Sequence, residues 1–148
     1  MFFEILNKKT KIILTIQTIC MLIGASTHIL WIVENGFFSH NVNHPFISTI
    51  FWDSLTFIDI IAAFLLILRP KIGILFTVII ITIDVIHNNL ILFIYNQHIN
   101  NIGIQLWAIK YWMLIGQLLF LIFVFWTLKP NLTELRLKSI SKKTQLTE

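Results

Sequence analysis

The sequence predicts an all-α, polytopic membrane protein in which four transmembrane helices form an up-down-up-down bundle with both termini cytoplasmic. Of its 148 residues, 57% are hydrophobic and 12% are charged, and the mean hydropathy is +0.83. A soluble domain of this composition would lack the polar surface to cover itself. Four apolar stretches each reach the roughly 20 residues that a helix needs to cross ~30 Å of hydrocarbon. Apart from Lys110 at the outer end of the fourth stretch, the positive charges also lie only before the first stretch, between the second and third, and after the fourth, which is the pattern of the positive-inside rule.

The four predicted spans cover about residues 12–33, 46–68, 72–95 and 107–128. The segment "ENG" ends the first span, and Pro45 begins the second, because proline is tolerated in the first turn of a helix. "RPKIG" forms a tight hairpin before the third span, and the polar "NQHINNIG" separates the third span from the fourth. The apolar runs are continuous rather than alternating, which disfavours a transmembrane barrel.

The connections give the orientation and the domain boundaries. Loops 34–45 and 96–106 contain no lysine or arginine. The other ends hold Lys8, Lys9, Lys11, Arg69, Lys71, Lys129, Arg136, Lys138, Lys142 and Lys143. We therefore expect a single transmembrane domain over residues 1–130, closed by Lys129 and Pro130, and a basic cytoplasmic tail over 131–148. The membrane would be the plasma membrane of a bacterium or the endoplasmic reticulum of a eukaryote.

The net charge of +4 also bears on partners. Because the basic residues flank membrane spans, we expect them to contact anionic lipid head groups rather than nucleic acid. The single Cys20 excludes a disulfide or a cysteine metal site within one chain.

One alternative concerns the first span. Lysines followed by an apolar run and "GAS" at 24–26 imitate a signal peptide with its cleavage site. The run continues as "THILWIV" to full spanning length, which favours a retained helix. A mature N-terminus near Thr27 would establish cleavage instead.

Each predicted span carries its polar side chains along a single face, since residues three, four or seven apart lie together on a helix. These faces should meet inside the bundle and leave the aliphatic faces to lipid. Near the bilayer centre we place Asp59, Asp84 and Gln117. In the outer half we place His28, Asp53, His87, Asn88, Lys110, Tyr111 and Trp112, with Glu34 at its edge. The expected result is a cavity that opens toward the outer side or into the outer leaflet, walled by Trp31, Trp52, Trp107 and Trp112.

The carboxylates suggest chemistry, because an ionised carboxylate at the membrane centre costs at least ~2.5–3.5 kcal/mol. "DVIH" puts Asp84 and His87 one turn apart, where a carboxylate can orient an imidazole. In an enzyme, His87 would be the general base or acid, with Asp59 or His28 as the complementary group. A polar clamp between helices explains Asp84 and His87 equally well. The expected ligand-binding residues are Trp52, Glu34, Asp53, Asn88, Lys110, Tyr111, Trp112 and Gln117.

Two segments, "THILWIVE" and "WDSLTFIDIIAAFLL", resemble the emopamil-binding-protein-like (EXPERA) family of membrane proteins over about residues 12–128. That family contains four-helix sterol isomerases and proteins that bind sterols or cationic amphiphiles. The positions that match its motifs are Thr27, His28, Glu34, Ser54 and Asp59. Asp59 replaces the usual glutamate, and the first outer loop is shorter. The resemblance implies a hydrophobic ligand and, in an enzyme, proton transfer by a histidine and acidic groups.

Three functions stay open. The first is a binding protein or enzyme for a sterol-, isoprenoid- or lipid-like amphiphile. The second is proton or divalent-metal handling by His28, Asp59, Asp84 and His87, which Lys110 would oppose if it lay in the same layer. The third is an accessory subunit of a larger membrane complex, packed through small residues. No cofactor is expected, since no phosphate loop, hydrolase triad or nucleotide fingerprint occurs in the sequence.

Overall fold

A computed structural model describes residues 6–39, 45–95 and 111–145, and four long helices account for most of them. They are α1 (Lys8–Asn35), α2 (Phe46–Leu68), α3 (Pro70–Tyr95) and α4 (Trp112–Gln145). Each is long and apolar enough to span a membrane. The predicted all-helical class and four candidate spans are therefore confirmed. Of the fourth predicted span, residues 107–110 lie outside the described residues.

The fourth helix extends further than the sequence predicts. Instead of ending at Lys129, α4 continues through Pro130 to Gln145, so most of the expected tail is helical. Proline removes one helical hydrogen bond, but contacts further along the chain hold the next turns in place. Leu135 is buried in the core, and Glu134 accepts hydrogen bonds from the start of α1.

The start of α1 is capped twice. The side chain of Asn7 accepts a hydrogen bond from the Thr10 amide at 2.8 Å, as an N-cap residue does. The Glu134 carboxylate then accepts from the Asn7 amide at 2.7 Å, and also from the Asn7 side-chain amide and the Thr10 hydroxyl. A carboxylate at this position complements the helix dipole. This contact joins the beginning of α1 to the distal part of α4.

The end of α1 is held against α2. Gly36 has a φ of 83°, and its amide donates to the Ile32 carbonyl at 2.8 Å, so "ENG" ends the helix as predicted. Phe38 also has a positive φ of 52°. Its amide donates to the Asp53 carboxylate at 2.7 Å, and this bond fixes the turn to α2.

The hairpin between α2 and α3 is the tightest connection. Arg69 alone separates the two helices, and Pro70 is the first residue of α3. A Cβ at Gly73 would overlap the backbone of Leu65 and Leu66, so the two helices touch there through their main chains. Only glycine fits this approach.

The helices form a ring in which α1 packs on α2, α2 on α3, α3 on α4, and α4 on α1, the last contact being the smallest of the four. The shared core includes Leu14, Met21, Leu55, Ala62, Leu66 and Ile74. Large apolar side chains cover the outside, and α4 is the least buried of the four candidate spans. In a bilayer these outer faces contact lipid.

The hairpin yields a paired test. Replacing Gly73 with alanine should destabilise the protein by about 1–3 kcal/mol, because the added methyl overpacks the α2–α3 contact. Gly116→Ala is the matched control, since a Cβ at Gly116 meets nothing within 4 Å, and it should change stability by less than about 0.5 kcal/mol. Unfolding in detergent micelles measures both. Equal effects of the two substitutions would contradict the close approach at Gly73.

Candidate functional site

A cavity of about 240 Å³ lies between α1 and α4, and α2 and α3 form its inner wall. Its lining is mostly apolar, with Met21 and Ile23 on α1, Ile80 and Ile81 on α3, and Phe120 on α4. Polar groups enter from all four helices. They are Thr27, His28, Asp59, Asp84 and Gln117.

Two aspartates from different helices share the inner wall of this cavity. Asp59 of α2 and Asp84 of α3 are each 6% exposed, and both line the same cavity. Asp59 also approaches α1, because a Cβ at Gly24 would lie 2.8 Å from the Asp59 Oδ2 atom. The absent side chain of Gly24 thus lets a carboxyl group fit between α1 and α2.

Asn88 is the centre of a polar network that joins three helices. Its Oδ1 accepts a hydrogen bond from the Trp52 indole at 2.7 Å. Its Nδ2 donates to the Asp84 Oδ1 at 2.8 Å and to the Gln117 Oε1 at 3.0 Å. The amide therefore satisfies polar groups from α2, α3 and α4 that would otherwise be costly in hydrocarbon.

A second compartment of about 390 Å³ adjoins the first. Both are lined by Thr27, His28, Met113 and Gln117. The second adds aromatic walls, namely Trp31, Trp52 and Tyr111. We call the two compartments together the carboxylate groove. Three expected tryptophans, Trp31, Trp52 and Trp112, line it, whereas Trp107 lies outside the described residues.

His87 lies away from this groove. Its ring packs 4.4 Å from the Phe51 ring and 5.7 Å from the Trp52 ring, measured between centroids. Its Nε2 is buried without a hydrogen-bond partner among the described residues. His87 forms no hydrogen bond with Asp84, whose Oδ1 accepts from the Asn88 amide instead. The one-turn spacing holds, but the imidazole turns toward the aromatic side chains of α2.

The remaining predicted ligand residues differ in position. Tyr111 and Trp112 line the groove, Trp112 with a largely exposed side chain. Asp53 lines neither compartment and instead accepts from the Phe38 amide. Glu34 is exposed near the end of α1. Lys110 lies outside the described residues.

The metal-site hypothesis finds no support in this geometry. Within residues 6–39, 45–95 and 111–145, no three histidine, cysteine or acidic side chains lie close enough together to hold one metal ion. His28, Asp59 and Asp84 line one cavity, while His87 lies among the aromatic side chains of α2.

Several lining residues escaped the sequence argument. Cys20 and Met113 lie on the cavity, but an apolar side chain in a span gives no signal that it faces a ligand rather than lipid. Gly116 also lines it. Its spacing one residue before Gln117 is the only hint in the sequence, since small residues beside a polar face often mark an approach between helices.

No protein-family model, curated protein or solved structure matches the chain. The EXPERA resemblance therefore depends on five residues. Thr27, His28 and Asp59 line the cavity. Glu34 is exposed, and the Ser54 hydroxyl donates to the Phe51 carbonyl of its own helix at 2.6 Å.

The network predicts a contrast between neighbouring asparagines. Asn88→Ala removes three side-chain hydrogen bonds and leaves Asp84 without its amide donor, so it should destabilise the protein by roughly 1–3 kcal/mol. Asn89→Ala removes one bond, from the Asn89 amide to the Val85 carbonyl of the same helix, and should cost less than about 0.5 kcal/mol. Unfolding in micelles measures both. If Asn89→Ala lowered the free energy of unfolding as much as Asn88→Ala, the hydrogen bonds of Asn88 would not be what holds the three helices together.

Proposed function

We propose that the protein binds a sterol-, isoprenoid- or other lipid-like amphiphile in the carboxylate groove. The observation that supports this most directly is an apolar, aromatic-walled cavity with two buried carboxyl groups in its inner wall. Such a combination suits a molecule with a hydrophobic body and one polar head.

The charges of the groove favour a cationic head group. Asp59 and Asp84 line it, and no lysine or arginine does so in the described part of the chain. Asp59 accepts no hydrogen bond from the described residues, so its oxygens remain available to a ligand. A protonated amine would form a charge-assisted hydrogen bond with Asp59 and could contact the faces of the nearby tryptophans. A hydroxyl head would use the same oxygens more weakly.

The ligand would enter sideways from the membrane. The contact between α1 and α4 is the smallest in the ring, and the groove lies between these helices. Residues of its α4 edge, Trp112, Met113 and Gly116, are exposed. An apolar ligand could therefore move from lipid into the groove without crossing water.

An isomerase that acts on such a ligand is the second candidate. Proton transfer within a double-bond system needs one group that gives a proton and another that takes one. His28 and the aspartate pair lie on different helices and line the same cavity, which favours these three residues as proton carriers. His87 would have no part in that reaction.

We further propose that the helices alternate in direction, with both termini cytoplasmic in a multi-pass membrane protein. Contacts that support this join the beginning of one helix to the later part of a neighbouring helix, such as Asn7 with Glu134 and Trp52 with Asn88. Gly73 against Leu66 adds a third such pair. The lysines and arginines would then lie at one end of the bundle.

Cysteine labelling tests the orientation. In a Cys20→Ser background, Phe37→Cys should react with a membrane-impermeant maleimide in intact cells, because the loop after α1 is then external. Ser139→Cys and Lys71→Cys should react only after permeabilisation. Both positions are exposed, so poor access within the fold would not explain protection. Labelling of Ser139→Cys in intact cells would overturn the proposed orientation.

Binding of a long-chain tertiary amine tests the groove. Radiolabelled N,N-dimethyldodecylamine should bind the purified protein in nanodiscs, and Asp59→Asn should weaken binding roughly tenfold to a hundredfold, because a hydrogen bond to a charged group contributes about 1.5–3 kcal/mol. Asp84→Asn should weaken it less, since the Asp84 Oδ1 already accepts from Asn88.

Asp53→Asn is the matched control for both. Asp53 is a buried aspartate on α2 like Asp59, but it lies outside the groove and holds the turn after α1. Amine binding should survive this substitution. Binding that is unchanged by Asp59→Asn, or that is lost equally with Asp53→Asn, would exclude the carboxylate groove as the amine site.

A further inference from the structure

A second pair of cavities lies where the start of α1 meets the distal part of α4. Their volumes are about 620 and 550 Å³, and both are lined by Lys9, Ile13 and Pro130. We call this pair the lysine groove. It shares no lining residue with the carboxylate groove, so an argument about one does not depend on the other.

Asn131 is an unexplained polar group in the first of these cavities. Its side chain is 0% exposed, and neither its Nδ2 nor its Oδ1 has a hydrogen-bond partner among the described residues. It nevertheless lines the cavity. A buried amide without partners costs free energy, so this position favours a ligand that can accept from the Nδ2 group.

The charges around Asn131 favour an anion. Lys9 and Lys129 line the same cavity, and Lys8 lines the adjoining one. Among residues 6–39, 45–95 and 111–141, Glu134 is the one acidic side chain that lines the groove, and its carboxylate already caps the start of α1 through Asn7 and Thr10. Three lysines thus line the groove together with one carboxylate that already accepts hydrogen bonds.

Apart from its two lysines, the second cavity is lined mostly by apolar residues. Its walls include Ile12, Phe123 and Trp126, and the Trp126 side chain is 78% exposed. Pro130 has no N–H to donate to the Trp126 carbonyl, so this turn of α4 lacks one helical hydrogen bond. A free phosphate would not contact the apolar surface of Ile12, Phe123 and Trp126, whereas an acyl chain would bury it.

We propose that the lysine groove binds one anionic phospholipid. The phosphate lies between Lys9 and Lys129 and accepts a hydrogen bond from the Asn131 amide, while an acyl chain lies along Phe123 and Trp126. Paired lysines, a buried donor and an apolar channel together distinguish this site from general attraction of basic residues to a membrane surface.

The test uses the delipidated full-length protein in a neutral detergent, with bound lipid counted by native mass spectrometry. Phosphatidylglycerol should be retained over phosphatidylcholine with identical chains, and inorganic phosphate at millimolar concentration should not displace it. Equal retention of both lipids, or displacement by phosphate, would overturn the proposal, the latter by assigning the site to a free anion.

Two variants locate the site. Lys9→Gln with Lys129→Gln should weaken phosphatidylglycerol binding by roughly tenfold to thirtyfold, as expected for two lysines near an anionic head group. Arg69→Gln with Lys71→Gln removes the same charge from the α2–α3 hairpin and should leave binding unchanged. If both double variants lost phosphatidylglycerol binding equally, the loss would follow from the lower net charge, and the lysine groove would be excluded as the binding site.

Asn131→Leu separates binding from folding. It replaces an unpartnered buried amide with an apolar side chain of similar size, so thermal stability should stay equal or rise. Phosphatidylglycerol binding should nevertheless fall severalfold. Unchanged binding in a folded Asn131→Leu variant would remove Asn131 from the site, and the lysine variants decide the case if this one does not fold.

Discussion

In hydrocarbon, a polar side chain must find a partner inside the protein, because neither water nor lipid tails can satisfy it. This constraint accounts for the arrangement of α2, α3 and α4 around Asn88. One amide accepts from Trp52 and donates to Asp84 and Gln117, so three helices are fixed at the level of the cavity. Asp59 is the exception among these groups. It has close contact with Gly24 but accepts no hydrogen bond from the described residues, and this difference separates a structural polar group from one available to a ligand.

The same constraint explains why the two grooves remain separate. Gln17 is fully buried on α1, and its Nε2 donates to the Thr127 hydroxyl of α4 at 3.1 Å. Along α1 this residue lies between Ile13, which lines the lysine groove, and Cys20, which lines the carboxylate groove. The hydrogen bond therefore joins α1 to α4 between two openings.

Much of the fold was predictable because hydropathy acts over whole segments. The helical class and the four spans follow from length and composition, and Gly36 and Pro45 mark real boundaries.

The site was predictable only in part. Periodicity places Asp59, Asp84, Asn88 and Gln117 on inner faces, but it cannot choose among partners within reach. His87 packs against Phe51 while Asn88 takes the Asp84 oxygen. Asn131 falls in the expected basic cytoplasmic tail, because Pro130 suggests a helix end that the contacts of Glu134 and Leu135 override.

The seam between α1 and α4 is where packing is weakest, and this follows from how each pair of helices is joined. The main chains of α2 and α3 touch at Gly73. Such a close approach gives extensive dispersion contact, so a ligand could separate these helices only at a high cost in free energy. The α1–α4 seam has instead a few polar contacts, at Glu134 and at Gln17. Directional bonds at separated points hold two helices in register while leaving space between the points. A bundle closed in this way leaves space along the α1–α4 seam, where both proposed ligands would lie, while its other three interfaces stay packed.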